Sequence, residues 1–214
     1  MRLLAALLLG LAPALAAATC PEYAQDPSLL VELEGSAGRG ALDKEQVQCL
    51  EDNYQAAKLQ TTKDKISRVL MVNAYAYQTS WWAELVQRHL NEVDRSDPNV
   101  AYLYSFYLFN QETPDYEAVI KWTEVALERK QDWTGDLHVH RVTKLLQART
   151  YAAYKQWEIA ENNRDLRNAD EIRNRTKTFA REWLDFSRSS GGDTTQAAEF
   201  CVSVSSAHAC GLDD

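Results

Sequence analysis

The sequence predicts an all-α protein: a solenoid of about three helix-turn-helix units, preceded by one extra helix and closed by a long capping helix. Three observations predict it. One pattern of bulky, small and aromatic residues recurs three times between Ser67 and Glu161, at a spacing of roughly 34 residues. Ahead of it, Asp43 with Gln46 has the capping-box spacing that opens a helix, and Val47, Leu50, Tyr54 and Ala57 follow at helical intervals. Behind it, a polar run with apolar contacts at Leu166, Ala169 and Ile172 continues through Phe179, Trp183 and Phe186 to a Gly191-Gly192 stop.

The elements follow in order. Met1 to Ala18 reads as a secretory signal peptide: Arg2, an apolar stretch from Leu3 to Leu11, then small residues at Ala14, Ala16 and Ala18. The run falls short of the roughly 20 apolar residues a bilayer requires. Residues 19–42 form an irregular lead-in with prolines, glycines and one short apolar patch, Leu29 to Leu33. The helical domain covers 43–190. Its first hairpin pairs a helix over about Thr62–Tyr77 with one over about Ser80–Asp94, stopped by Asp97-Pro98. The second pairs Asn99–Asn110 with Asp115–Lys130 across Thr113-Pro114-Asp115. An insertion at Trp133-Thr134-Gly135-Asp136-Leu137 then lengthens the linker. The third unit opens at His138 or Arg141, runs through Ala152, and starts its second helix near Trp157. Residues 191–214 form a small-residue tail, loosely held without a disulfide.

The units align as Leu70, Asn73, Ala74, Tyr77, Val86, Leu90, Val93, Pro98; Leu103, Phe106, Tyr107, Asn110, Val119, Thr123, Ala126; and Lys144, Gln147, Ala148, Tyr151, Ala160. They resemble the tetratricopeptide repeat, and Asp115 to Glu128 is the stretch most similar to that family's pattern. The resemblance implies a right-handed superhelix with a concave groove for an extended peptide. Carried over position by position, it implies partner contacts at Arg68, Met71, Tyr75, Gln78, Tyr104, Leu108, Gln111, Leu145 and Arg149, with Ala101, Val142 and Ala152 beside them. The family's Lys and Asn clamp for a peptide carboxylate has no counterpart here. The overall layout, including the Trp-Thr-Gly-Asp linker, also resembles the small repeat proteins of myxobacterial adventurous-gliding and envelope machinery.

Lys and Arg total 23 against 31 Asp and Glu, a net charge of −8. That balance argues against nucleic acid, whose phosphates demand a basic face. The absence of a polybasic stretch after the leader argues against direct electrostatic attachment to a membrane. Four cysteines remain after leader cleavage, an even number suited to an oxidising compartment. Three connectivities are open; Cys20 with Cys49 and Cys201 with Cys210 pair neighbours in sequence and staple the two termini. Cys20 also sits where a bacterial lipoprotein carries its lipid, but Ala17, Ala18 and Thr19 depart from that pattern.

Chemistry-bearing motifs are sparse. His138 and His140 beside Asp136 could share a metal only on an extended segment, because residues two apart lie about 200° apart around a helix. His208 between Cys201 and Cys210 would suit a nucleophile and base only if the thiol were free and electropositively placed. Asn174-Arg175-Thr176 matches a glycosylation sequon. No elbow, phosphate loop or zincin motif appears. The expectation is therefore a non-enzymatic protein with no cofactor, metal or small-molecule substrate, with a metal-binding protein or an enzyme of unrecognised type as the lesser alternative. It would scaffold a bacterial envelope complex in the periplasm, serving motility, secretion or outer-membrane assembly, or recruit a cell-wall enzyme. It would meet a membrane only through partners or a lipid on Cys20.

Overall fold

The computed structural model describes residues 20–23, 25–75 and 80–212. The signal-peptide reading and Gln78 lie outside these residues. Those described carry nine α-helices joined by turns and short 3₁₀ segments, so the fold is all-α. The chain divides into two compact units, Met1–Tyr77 and Gln78–Asp214. The division falls inside the first hairpin expected from sequence.

In the first unit, a 3₁₀ turn (Pro27–Leu30) leads into α1 (Val31–Ala37), followed by α2 (Lys44–Ala56) and α3 (Gln60–Tyr75). The lead-in is thus more helical than its glycines suggested. Asp43 caps α2 as a capping box: its carboxylate accepts from the Gln46 amide, and the Gln46 side chain accepts from the Asp43 amide. Both α1 and α2 pack on α3. Leu30, Leu50, Tyr54, Ile66 and Leu70 are the largest side chains closed off there. Cys20 is bonded to Cys49 of α2. Asn53, one turn beyond, donates to the carbonyls of Pro21 and Cys49, both at 2.9 Å, so the N-terminal strand of chain is held by covalent and polar ties together.

The second unit runs through α4 (Ser80–Glu92), α5 (Pro98–Phe109), α6 (Tyr116–Glu128), α7 (Gly135–Asn162), α8 (Leu166–Ser189) and α9 (Thr195–Val204). Packing is sequential, each helix lying against the next, with α5 also reaching α7. Aspartates start three of these helices. Asp97 accepts from the amides of Asn99 and Val100, Asp115 from Ala118, and Asp165 from Asn168, each supplying an acceptor that the first helical turn lacks. The main core joins Ala101, Ala126, Trp133, Val142, Leu145, Trp183 and Leu184 from α5 to α8 with Ala197, Cys201 and Val204 of α9.

One sequence expectation is corrected here and another is extended. The break near Trp157 does not exist: α7 is one helix of 28 residues, and its partner is α8 of 24 residues. Nothing between Ala152 and Trp157 is a glycine or proline, so no residue there interrupts the backbone ladder. The C-terminal tail carries its expected disulfide and is held by core packing besides. Residues 197, 201 and 204 fall on one face of α9 and enter the core. Beyond it, Arg181 donates to the Ala209 carbonyl, and Arg188 donates to those of Cys210 and Gly211 at 3.3 and 3.1 Å. Cys201 is bonded to Cys210, as the sequence favoured.

Candidate functional site

The expected groove positions divide into closed and open sets. In the second unit, Leu145 is fully buried and Tyr104 is 4 % exposed, with Ala101, Val142 and Ala152 buried beside them. Tyr104 accepts a hydrogen bond from Gln87 Nε2 at 2.5 Å, with the Trp122 ring edge-on to its own. Arg149 is buried with its guanidinium 4.0 Å from the centre of the Phe179 ring, and it pairs with Glu182. Leu108 packs on the Val119, Ile120 and Phe179 cluster, while Gln111 is exposed and bonded to the Tyr107 carbonyl. The reason lies in α5 itself. Eleven of the twelve residues in Pro-Asn-Val-Ala-Tyr-Leu-Tyr-Ser-Phe-Tyr-Leu-Phe are uncharged and either apolar, aromatic or small, so the helix has no polar stripe to turn outward. Packed against both α6 and α7, it spends its inward positions on the core.

In the first unit the same helix face is only partly closed. Met71 is buried, but Tyr75 is 48 % exposed and Arg68 lies at the surface, paired with Asp64 at 2.9 Å. Beside Arg68 runs a groove of about 310 Å³ between α1 and α3. Its floor is Leu30, Ala37 and Val69, all buried. Val31 and Val72 form its apolar lips and are 64 % and 47 % exposed. Charge is divided between the walls: Glu34 stands on α1, Lys65 and Arg68 on α3. Of these, sequence reasoning identified only Arg68. The signal for the rest was the Leu29–Leu33 patch, whose Val31 cannot share a buried face with both Leu30 and Leu33 on so short a helix.

A second cleft of about 440 Å³ opens at the far end of the α7/α8 hairpin. Gln156 of α7 and Arg175 of α8 both meet the Glu117 carboxylate in the first turn of α6, at 2.8 and 3.3 Å. Beyond that contact α7 continues for another six residues, so the hairpin tip overhangs α6 and leaves Ile159 49 % exposed above a floor of Ala160 and Ile172. The chain turns at Arg164, whose φ of 58° is the left-handed conformation that closes α7.

The His138 ring and all four cysteines have structural partners. His138 and His140 lie on α7, so the extended geometry a shared metal would need is absent. The His138 ring instead meets the Lys130 carbonyl at 2.9 Å and packs by Phe186. All four cysteines are bonded in pairs, which leaves His208 without a thiol beside it. A His-Asp pair that sequence reasoning missed does occur: His89 Nε2 lies 3.3 Å from Asp97 Oδ2. Both side chains are sealed from solvent, at 0 % and 2 %, and the other Asp97 oxygen caps α5, so the pair ties α4 to α5. At the surface, burial acts to raise the Asp94 carboxyl pKa, but hydrogen bonds from the Ser96 amide and hydroxyl and the Arg129 guanidinium outweigh it and hold Asp94 below the usual carboxylate value. Thr176 of the sequon is buried and donates to the Ile172 carbonyl.

Comparison with protein-family models, with curated proteins and with solved structures finds no match. Among the described residues no helix is long and apolar enough to cross a membrane. The two disulfides are those of an oxidising compartment.

Proposed function

We propose that the protein is a non-enzymatic adaptor of a bacterial envelope complex, exported by its leader and acting in the periplasm through contacts with another polypeptide. The observation that carries this reading is the α1/α3 groove: a partly apolar channel with charged walls, floored by buried Leu30, Ala37 and Val69 and lipped by exposed Val31 and Val72. The structural partners of His89 and His138 and the pairing of all four cysteines favour binding over catalysis. The adaptor reading moves the main contact surface from the concave wall expected by resemblance to Arg68, Val72 and Tyr75 on α3, since Tyr104, Leu145 and Arg149 serve the core. Two features keep a tetratricopeptide-like origin in view for the second unit: consecutive antiparallel pairs, α5/α6 and α7/α8, and the contact of α5 with α7, as between first helices of successive repeats. The length of α7 and α8 breaks the period.

Purification from the native envelope under mild crosslinking tests the reading. A stoichiometric protein partner, lost on Val72→Glu, is expected; the partner's identity separates a motility, secretion or assembly machine from a recruited cell-wall enzyme. Recovery of the protein alone, with the same result for parent and variant, would contradict the proposal.

A further inference from the structure

We infer that the α1/α3 groove receives a short amphipathic helix of the partner, with aliphatic anchors on its inner face and carboxylates along the flank that meets Lys65 and Arg68. This deepens the adaptor reading and rests on it. The groove runs beside α1, and Val31, Glu34 and Ala37 of α1 line it together with Lys65, Arg68, Val69 and Val72 of α3. The seven residues of α1 span about 10 Å of the roughly 24 Å of α3, the part of α3 that lines the groove. Lys65, Arg68, Val72 and Tyr75 follow at intervals of three, four and three, one stripe along the surface of α3. The stretch from Lys65 to Val72 that lines the groove is about 10 Å long, room for roughly two turns of a docked helix and anchors spaced i, i+3 or i+4, i+7.

Two physical considerations select a helix with that polarity. An extended peptide would lay its own unpaired N–H and C=O groups over Leu30, Ala37 and Val69, while the helices on either side have already spent theirs; a helix satisfies its backbone internally. The walls then fix the occupant's charge. Lys65 is exposed and makes no ion pair among the described residues, Arg68 on the same wall is paired with Asp64 at 2.9 Å, and Glu34 stands opposite. A helix seated between them is favoured with acidic residues toward α3 and a basic residue toward α1, which also sets its direction.

Selection of a displayed library of random 16-residue peptides on the mature, disulfide-bonded protein tests this. Enriched sequences are expected to carry aliphatic residues at helical spacing with acidic residues along one flank. Binding of the synthetic peptide should weaken at least about tenfold on Val72→Glu or Lys65→Glu, and a peptide with its acidic flank changed to lysine should recover affinity for the Lys65→Glu variant. Both positions are exposed, so the helical spectrum and melting temperature of each variant should match the parent. Enriched peptides that lack the pattern, or that bind the Val72→Glu variant unchanged, would overturn the groove assignment while leaving an adaptor with another surface. If no peptide enriches, the assignment also falls, and co-purification of a native partner decides the adaptor reading separately. Binding only by a second copy of the chain, seen as concentration-dependent sedimentation that Val72→Glu abolishes, would replace the partner helix with self-association.

Discussion

Replacing Cys201 and Cys210 together by alanine isolates what the C-terminal disulfide contributes. The bond closes a separation of nine residues, and the loop-entropy relation gives about 2.6 kcal/mol for that length, against about 3.6 kcal/mol for the 29 residues between Cys20 and Cys49. The fold around it is not otherwise dependent on the bond. Ala197 and Val204 remain in the core, and Arg181 and Arg188 still hold three successive carbonyls, Ala209 to Gly211. The doubly substituted protein should therefore keep its native helix content and lose about 2–3 kcal/mol in urea unfolding, or roughly 5–10 °C in melting temperature. Trp183 is a suitable reporter, since its ring centre lies 6.2 Å from that of Phe200 on α9. Adding Arg181→Ala and Arg188→Ala should cost more in the variant without the disulfide than in the parent, because the clamp then alone restrains the tail. A loss under about 0.5 kcal/mol, or a Trp183 transition well ahead of the global one, would refute the view that α9 and its staple belong to the α7/α8 core.

Leu145→Ala should cost about 2–5 kcal/mol by chemical denaturation, since the side chain is fully buried among α5, α7 and α8 and a peptide-contact role would instead leave stability near parent. Asp115→Ala removes the acceptor for the Ala118 amide and should destabilise by about 1 kcal/mol, with Asp115→Asn recovering most of it. Asp94→Asn should reduce stability at neutral pH but not in acid. A carboxyl whose folded pKa is depressed contributes above its unfolded value, near 3.8, and the contribution disappears as pH falls through the lower folded value, so parent and variant denaturation midpoints should converge below pH 3.8.

How much was legible in the sequence depends on what kind of residue carried the signal. The start of α2 was plain because Asp43 with Gln46 has the capping-box spacing, a local device, while Asp97-Pro98 and Thr113-Pro114-Asp115 marked the breaks ahead of α5 and α6. The cysteine pairing followed from proximity in sequence. The single long α7 was hidden by the repeat period: a template placed a turn near Trp157 where the residues themselves supply no breaker. The core role of α9 was readable from Ala197, Cys201 and Val204, but the surrounding small and polar residues masked it. The site was harder. Tyr104, Leu145 and Arg149 occupy the positions a peptide groove would use, and only packing reveals that α6, α7 and α8 claim them first. The α1/α3 groove depends on how two helices pack together, which no periodicity encodes.

The central claim is that the open face of α3 in the first unit is where the protein meets its partner. Photoreactive residues placed singly at Val31, Val72 and Leu166 in the native host, followed by mapping of the crosslinked peptides, address it most directly; Leu166, 71 % exposed at the α7/α8 tip, serves as the control. The account predicts crosslinks from Val31 and Val72 to one acidic-flanked aliphatic segment of a single protein, and none from Leu166. Crosslinks to that protein from Leu166 alone, with both groove positions silent, would contradict it.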